Sequence, residues 1–231
     1  MKPPCRRRSA IWFSQGAASW RPTRAAYRAL LLSAPGLGAY ISGVILFEET
    51  LAQKTDDGRL LPAAAWEQRI VPGIKVDKGK IPLALSPGDE ITQGLDGLAQ
   101  RLAGYREQGA RFAKWREVYT IGKHLPSVTG MAANAEMLAR YAAVCQSEGF
   151  VPIVEPEVLM DGDHGLERCA ETVAAATLKV LRRTVPAAVP SIHFLSGGQG
   201  PEEATANLNA LNRSGAGMSR QPSWPCSNEP G

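Results

Sequence analysis

Three short segments constrain the fold of this 231-residue chain more than any other feature: VPGIKVDKG (71–79), RFAKWREV (111–118) and VPIVEPEV (151–158). Each reads as a β-strand, yet each puts charge where a strand's buried side chains belong. Side chains alternate with a period of two. Lys75 and Asp77 therefore share one face, as do Lys114 and Arg116, and Glu155 and Glu157. Charged residues go inside when they are paired or functional. Repeated on successive strands, the pattern predicts a barrel whose strand ends converge on a site.

The rest of the chain supplies the alternation such a barrel needs. Strands are expected over 41–48, 70–77, 110–118, 150–158 and 191–196. A short helix is expected over Arg24–Leu32, and a brief helical piece ends near Arg69. A longer helix starts near Gln93, with Leu95, Leu98, Leu102 and Tyr105 on one stripe. Helix 131–147 aligns Ala135, Leu138, Ala142 and Cys145, and helix 166–183 aligns Cys169, Val173, Ala176 and Val180. Pro201, Glu202 and Glu203 open a last helix as helix starts favour. Residues 79–88 read as a Pro- and Gly-bearing loop. Residues 1–23 show no sustained period and read as a disordered leader, and 213–231 as a Gly/Ser/Pro-rich tail. The intervening 24–212 forms the folded domain. A recurring strand–loop–helix rhythm means parallel strands with helical crossovers. Doubly wound sheets and (β/α)8 barrels both satisfy it; charge at strand C-terminal ends without a GxGxxG turn favours the barrel.

Composition narrows the function classes. The formal charge is +4, but Lys2, Arg6, Arg7, Arg8, Arg21 and Arg24 fall in the first 24 residues, where no acid occurs. The remainder is close to neutral and has no basic face or aromatic–basic interleaving, so a nucleic-acid partner is not expected. That Arg-rich start has the composition of a transit peptide and equally of an unrelated leader. Cys5, Cys145, Cys169 and Cys226 are widely spaced, without a CxxC pair, which indicates neither zinc nor a disulfide framework. No apolar run approaches the ~18 residues that span a bilayer. A reducing, cytoplasmic compartment fits, with a plastid as the alternative.

The charged positions point to acid–base chemistry on an anion. Glu155 and Glu157 point the same way from one strand, and confined acids push their pKa values apart, one as proton donor and one as base or ion-pair partner. Glu157 equally serves to neutralise a lysine. Lys75 and Lys114 sit mid-strand among apolar neighbours. Either a buried lysine acts as a nucleophilic amine, or Lys75, Lys114 and Arg116 form a pocket for an anionic substrate. Ser196–Gly197–Gly198, between a strand and a helix, can offer backbone N–H groups to a phosphate.

The segments ISGVILFEETL, VPGIKVDKG, TQGLDGL, FAKWR, ANAEMLARYA, VPIVEPEVLMDGDH and FLSGGQ with EEATANLNALN resemble, in order, class I fructose-bisphosphate aldolase over about residues 24–212. The resemblance implies a (β/α)8 barrel, usually a homotetramer, active in glycolysis and gluconeogenesis. It implies reversible cleavage of fructose 1,6-bisphosphate to dihydroxyacetone phosphate and glyceraldehyde 3-phosphate through a lysine Schiff base, with no cofactor and no metal. Carried over by motif, Lys75, Lys114 and Arg116 look like substrate-site residues, Lys114 catalytic among them. Glu155 resembles the acid–base glutamate and Glu157 its neighbour. Ser196 and Gly197 match a substrate phosphate contact.

Parts of the family pattern are not found. The first strand, with its ADES motif, gives way to residues 1–23, and the last strand and tail to RSGAGMSRQPSWPCSNEPG. LERC (166–169) runs straight into AETVAAATLKVLRRTVPAAVP (170–190), pieces that in the family flank the strand bearing the Schiff-base lysine. No Schiff-base lysine is found. One βα unit of ~30 residues or more is skipped. The expectation is an incomplete α/β TIM barrel of about five strands, with little or no lyase activity. The alternative is a non-catalytic sugar-phosphate-binding or co-assembling protein.

Overall fold

The computed structural model describes residues 9–12, 21–159, 193, 194, 202, 205, 206 and 209. Among these residues the main sheet is wholly parallel and carries six strands: β1 (Ser9–Trp12), β2 (Ile41–Leu46), β3 (Val71–Lys75), β6 (Phe112–Tyr119), β7 (Val151–Val158) and β8 (His193–Phe194). They neighbour one another in that order, so each new strand adds to the same edge. A doubly wound sheet reverses direction at a switch point. This sheet does not, and its monotonic order is that of a barrel wall. The pairs are in close register, with Gly73 beside Phe112, Lys75 beside Lys114, and Arg116 beside Glu155.

Helices α1 (Arg21–Leu32), α3 (Leu61–Glu67), α4 (Leu98–Glu107) and α5 (Val128–Ser147) connect successive strands. They pack their apolar stripes on one side of the sheet. Val44, Leu46, Ile74, Ala113, Trp115 and Val154 meet Ala29, Leu32, Leu61, Ala65, Leu98, Leu102, Leu138, Ala142 and Cys145 in one continuous core. The Trp115 and Tyr141 rings lie 5.3 Å apart, locking α5 onto β6. The expected stripes of α4 and α5 are the buried ones.

On the inner face, away from these helices, two strands carry glycine. A Cβ on Gly73 would lie 2.2 Å from the Phe112 ring, and one on Gly43 would lie 3.1 Å from it. Phe112 thus lies flat across two neighbouring strands and floors the inner face below Lys75 and Lys114.

Several elements depart from the sequence expectation for local reasons. Within residues 1–23, Ser9–Trp12 pair with Ser9 opposite Ile41 and Trp12 opposite Ile45. Four residues are too few to show a period, and the edge of β2 templates them. Strand β2 stops at Leu46 because Glu48 and Glu49 open a single helical turn, α2 (Glu48–Leu51). There Glu49 pairs with Arg24 at 3.0 Å and with the buried Arg28 at 2.6 Å. Strand β3 ends at Lys75, two residues before Asp77. The expected loop 79–88 is largely an antiparallel hairpin, β4 (Lys80–Pro82) with β5 (Glu90–Thr92). Its first strand is exposed throughout, which erases the alternation. Helix α4 starts at Leu98, not near Gln93. Gly94 and Gly97 hold φ of 124° and 62°, outside the right-handed helical region. Helix 166–183 lies outside the described residues. In the last expected helix, Glu202, Thr205, Ala206 and Asn209 are helical and exposed, the spacing of one solvent face.

Candidate active site

Alternation on β3, β6 and β7 delivers the charged side chains to the inner face, at the carboxyl end of the sheet. The structure joins the sequence-expected residues into three ion pairs: Lys75 with Asp77, Lys114 with Glu155, and Arg116 with Glu157. Lys75 and Lys114 are register partners, as are Arg116 and Glu155. The six side chains therefore form one charged layer across three adjacent strands.

Burial separates the pairs in kind. Lys114 is 1% and Glu155 5% exposed, whereas the side chains of Lys75 and Arg116 keep 20% and 38%. Desolvation holds the Lys114 amine below its ordinary pKa, opposed by the charge of Glu155 and, less strongly, by Asp77. Burial raises the Glu155 carboxyl, opposed by Lys114, with the charge of Glu157 adding to the rise. The two partners move toward each other. Burial thus narrows the gap in proton affinity between amine and carboxylate, while their mutual charge works to keep it. The outer cations act otherwise. An anion entering from solvent can displace Asp77 from Lys75, or Glu157 from Arg116, and keep a charge-assisted bond.

Backbone supports hold this layer in place. Arg101 donates to the Val76 carbonyl at 3.0 Å and also to that of Gly94, fixing the turn that carries Asp77. Lys78 pairs with Glu48 at 3.2 Å, tying the same turn to the end of β2. The hairpin is pinned to α5 by a polar knot. Ser86 donates to Asp89 at 2.7 Å and lies 3.0 Å from the Ser127 hydroxyl, and Asp89 accepts the Ser127 N–H at 3.2 Å. Ser127 itself caps α5 by accepting the Gly130 N–H at 2.9 Å.

One acid at the site escaped the sequence reading. Glu117 is wholly buried on the helix-facing side of β6. It accepts the Trp115 indole N–H at 2.8 Å and the Thr92 backbone N–H at 3.1 Å. The signal was available, because in FAKWREV the alternation that turns Lys114 and Arg116 inward turns Ala113, Trp115 and Glu117 toward the helices. Ser196 and Gly197 lie outside the described residues. Among the described residues no cluster of His, Cys, Asp and Glu could hold a metal ion, and no helix is long and apolar enough to cross a membrane. Cys145 is a buried thiol pushed up to about 12 by desolvation.

The family model for fructose-bisphosphate aldolase class-I matches residues 19–172 and 170–227 of this chain. The chain belongs to the class I fructose-bisphosphate aldolase family. It is 47% identical over 232 residues to the cytoplasmic aldolase isozyme of Spinacia oleracea, covering 82% of this chain and 65% of that one. It is 47% identical over 243 residues to the chloroplastic aldolase 1 of Arabidopsis thaliana, covering 87% and 61%. A probable class 1 aldolase of Xanthomonas campestris is 46% identical over 235 residues, covering 83% and 70%. A solved aldolase from Plasmodium falciparum, in complex with TRAP and a small-molecule inhibitor, superposes with a TM-score of 0.71 at 37% identity. That superposition covers 89% of this chain and 76% of that one.

The chain spans less than two thirds of the spinach and Arabidopsis aldolases. Part of the difference is internal. The spinach alignment runs 232 positions but occupies 82% of 231 residues, so about 40 positions within it have no counterpart in this chain, in total the size of a βα unit. The two blocks matched by the family model meet at residues 170–172.

Proposed function

We propose that this chain binds fructose 1,6-bisphosphate, or its triose phosphate products, on the inner face of the half-barrel without cleaving the sugar by the Schiff-base route of its family. The observation that carries the binding half is the gathering of three ion pairs on three adjacent strands. Lys75 and Arg116 take the phosphate or sugar oxygens, exchanging Asp77 and Glu157 for the ligand. Ser196 and Gly197 add backbone contacts to a phosphate. The buried Lys114–Glu155 pair faces the carbon chain, and Glu157 stands beside it.

The catalytic half rests on the junction near residue 170. There the family resemblance places the strand with the Schiff-base lysine, and there the two blocks matched by the family model meet. Supporting this reading, about 40 positions within the spinach alignment have no counterpart in this chain. Loss of a nucleophile commonly lowers turnover on the order of 10⁴-fold or more. Lys114 is a poor substitute, since its amine is buried and paired with Glu155. Homotetrameric assembly and a cytosolic or plastid setting belong to the same reading.

Calorimetric titration and borohydride trapping test the two halves separately. The expected result is saturable binding of fructose 1,6-bisphosphate, weakened at least tenfold in Arg116→Ala, with no covalent adduct in the intact mass after borohydride. A stable adduct, or triose phosphate release in a coupled assay, defeats the non-covalent reading. Absence of saturable binding defeats the binding reading.

A further inference from the structure

Glu117 is a carboxylic acid with no part in the inner-face ion pairs, buried where its strand neighbours Ala113 and Trp115 are apolar. A buried acid is costly unless it does something for the structure around it. One oxygen accepts the Trp115 indole N–H at 2.8 Å, the other the Thr92 N–H at 3.1 Å. Thr92 also donates its hydroxyl to the Arg116 carbonyl at 2.8 Å. A single residue of β5 is thus bonded to two consecutive residues of β6. Asn134 of α5 reinforces the hairpin by donating to the Glu90 carbonyl at 2.9 Å.

We propose that Glu117 is a positioning residue, which latches the β4–β5 hairpin onto β6 and so sets the backbone that presents Arg116 to a bound sugar phosphate. Only the identity of the ligand rests on the proposed function; the latch does not. Burial raises the Glu117 carboxyl to about 7, the Trp115 and Thr92 bonds oppose the rise, and the charge of Asp77 adds to it. The remaining titratable groups nearby do not compensate it. Glu90 and Lys80 of the hairpin pair with each other at 2.5 Å, and α5 offers Tyr141 and Cys145, both raised by burial and neutral in this range. Below neutrality the closed latch carries no charge. Once Glu117 ionises, hydration favours opening, so the latch loosens as pH rises.

The test uses full-length protein labelled with ¹⁵N at Trp and Arg. The Trp115 indole N–H and the Arg116 Nε–H are followed from about pH 5.5 to 8.5, together with fructose 1,6-bisphosphate affinity. The expected result is a common inflection near 7 in both resonances, with affinity falling severalfold above it. Glu117→Gln removes the inflection from all three. Thr92→Val keeps the N–H bond to Glu117 and deletes the hydroxyl, which bonds the Arg116 carbonyl and also favours the ionised Glu117. In that variant the indole inflection persists, shifted to higher pH, and Arg116 no longer follows it. The same variant also serves if Glu117→Gln fails to fold. An inflection surviving in Glu117→Gln, or an Arg116 signal that still follows the indole in Thr92→Val, overturns the latch. If fructose 1,6-bisphosphate does not bind at any pH, the proposed function falls and the two resonances alone decide the latch.

Discussion

At the scale of single residues, Lys114 and Glu155 form the pair on which most depends. Both are almost fully buried, and each shifts the other's proton affinity against the pull of desolvation. Removing one partner leaves a charge without its counter-charge. Lys114→Met and Glu155→Leu should each lower stability by roughly 3–5 kcal/mol, while the double replacement recovers most of that loss. Urea unfolding of the two single variants and the double variant checks this. Additive losses would mean that the pair contributes no coupling. The pair was half legible in the sequence. Alternation placed Lys114 and Glu155 on inner faces, but period alone did not say that they would meet. That required the register of β6 with β7, a tertiary property set by packing along both strands.

At the scale of elements, the hairpin decides how the site is framed, and the N-terminus of α5 decides where the hairpin sits. Ser127 both caps α5 and joins the knot with Ser86 and Asp89. Ser127→Ala should cost about 1 kcal/mol from the lost cap and more from the loosened knot. Hydrogen exchange should quicken across Lys80–Thr92 as well as in the first turn of α5. Faster exchange confined to α5 would separate the cap from the hairpin. Strong apolar stripes made α4 and α5 legible, because Leu98, Leu102, Leu138 and Cys145 follow the helical period. The hairpin was not legible, since its strands are three residues long, contain Pro82 and are held by polar bonds. The delayed start of α4 turned on Gly94 and Gly97, whose φ values interrupt a pattern that Leu95 otherwise extends.

At the scale of the whole molecule, two acids pull the pH dependence of stability in opposite directions. Hydrogen bonding from Arg24 lowers Glu49 to about 2, against desolvation and with help from Arg28. The stability it contributes is present above its unfolded value near 4.5 and is lost as pH falls toward 2. Glu117 is raised to about 7 by burial, so its contribution is present below 4.5 and is lost as pH rises through 7. The second effect amounts to on the order of 3 kcal/mol. Thermal melts should therefore show Glu117→Gln gaining stability relative to the unmutated chain between about pH 4.5 and 7.5. A constant difference over that range would show that Glu117 does not titrate there.

The Phe112 ring, lying across Gly43 and Gly73, carries a consequence for what the inner face can hold. Two positions without side chains let an aromatic plate sink level with the backbone of neighbouring strands, and the charged layer begins directly above it. The depth available to a ligand is therefore set by atoms the sequence leaves out. Even one methyl group at Gly73 would lift the plate toward Lys75 and Lys114 and make the cleft shallower, with every charge still in place.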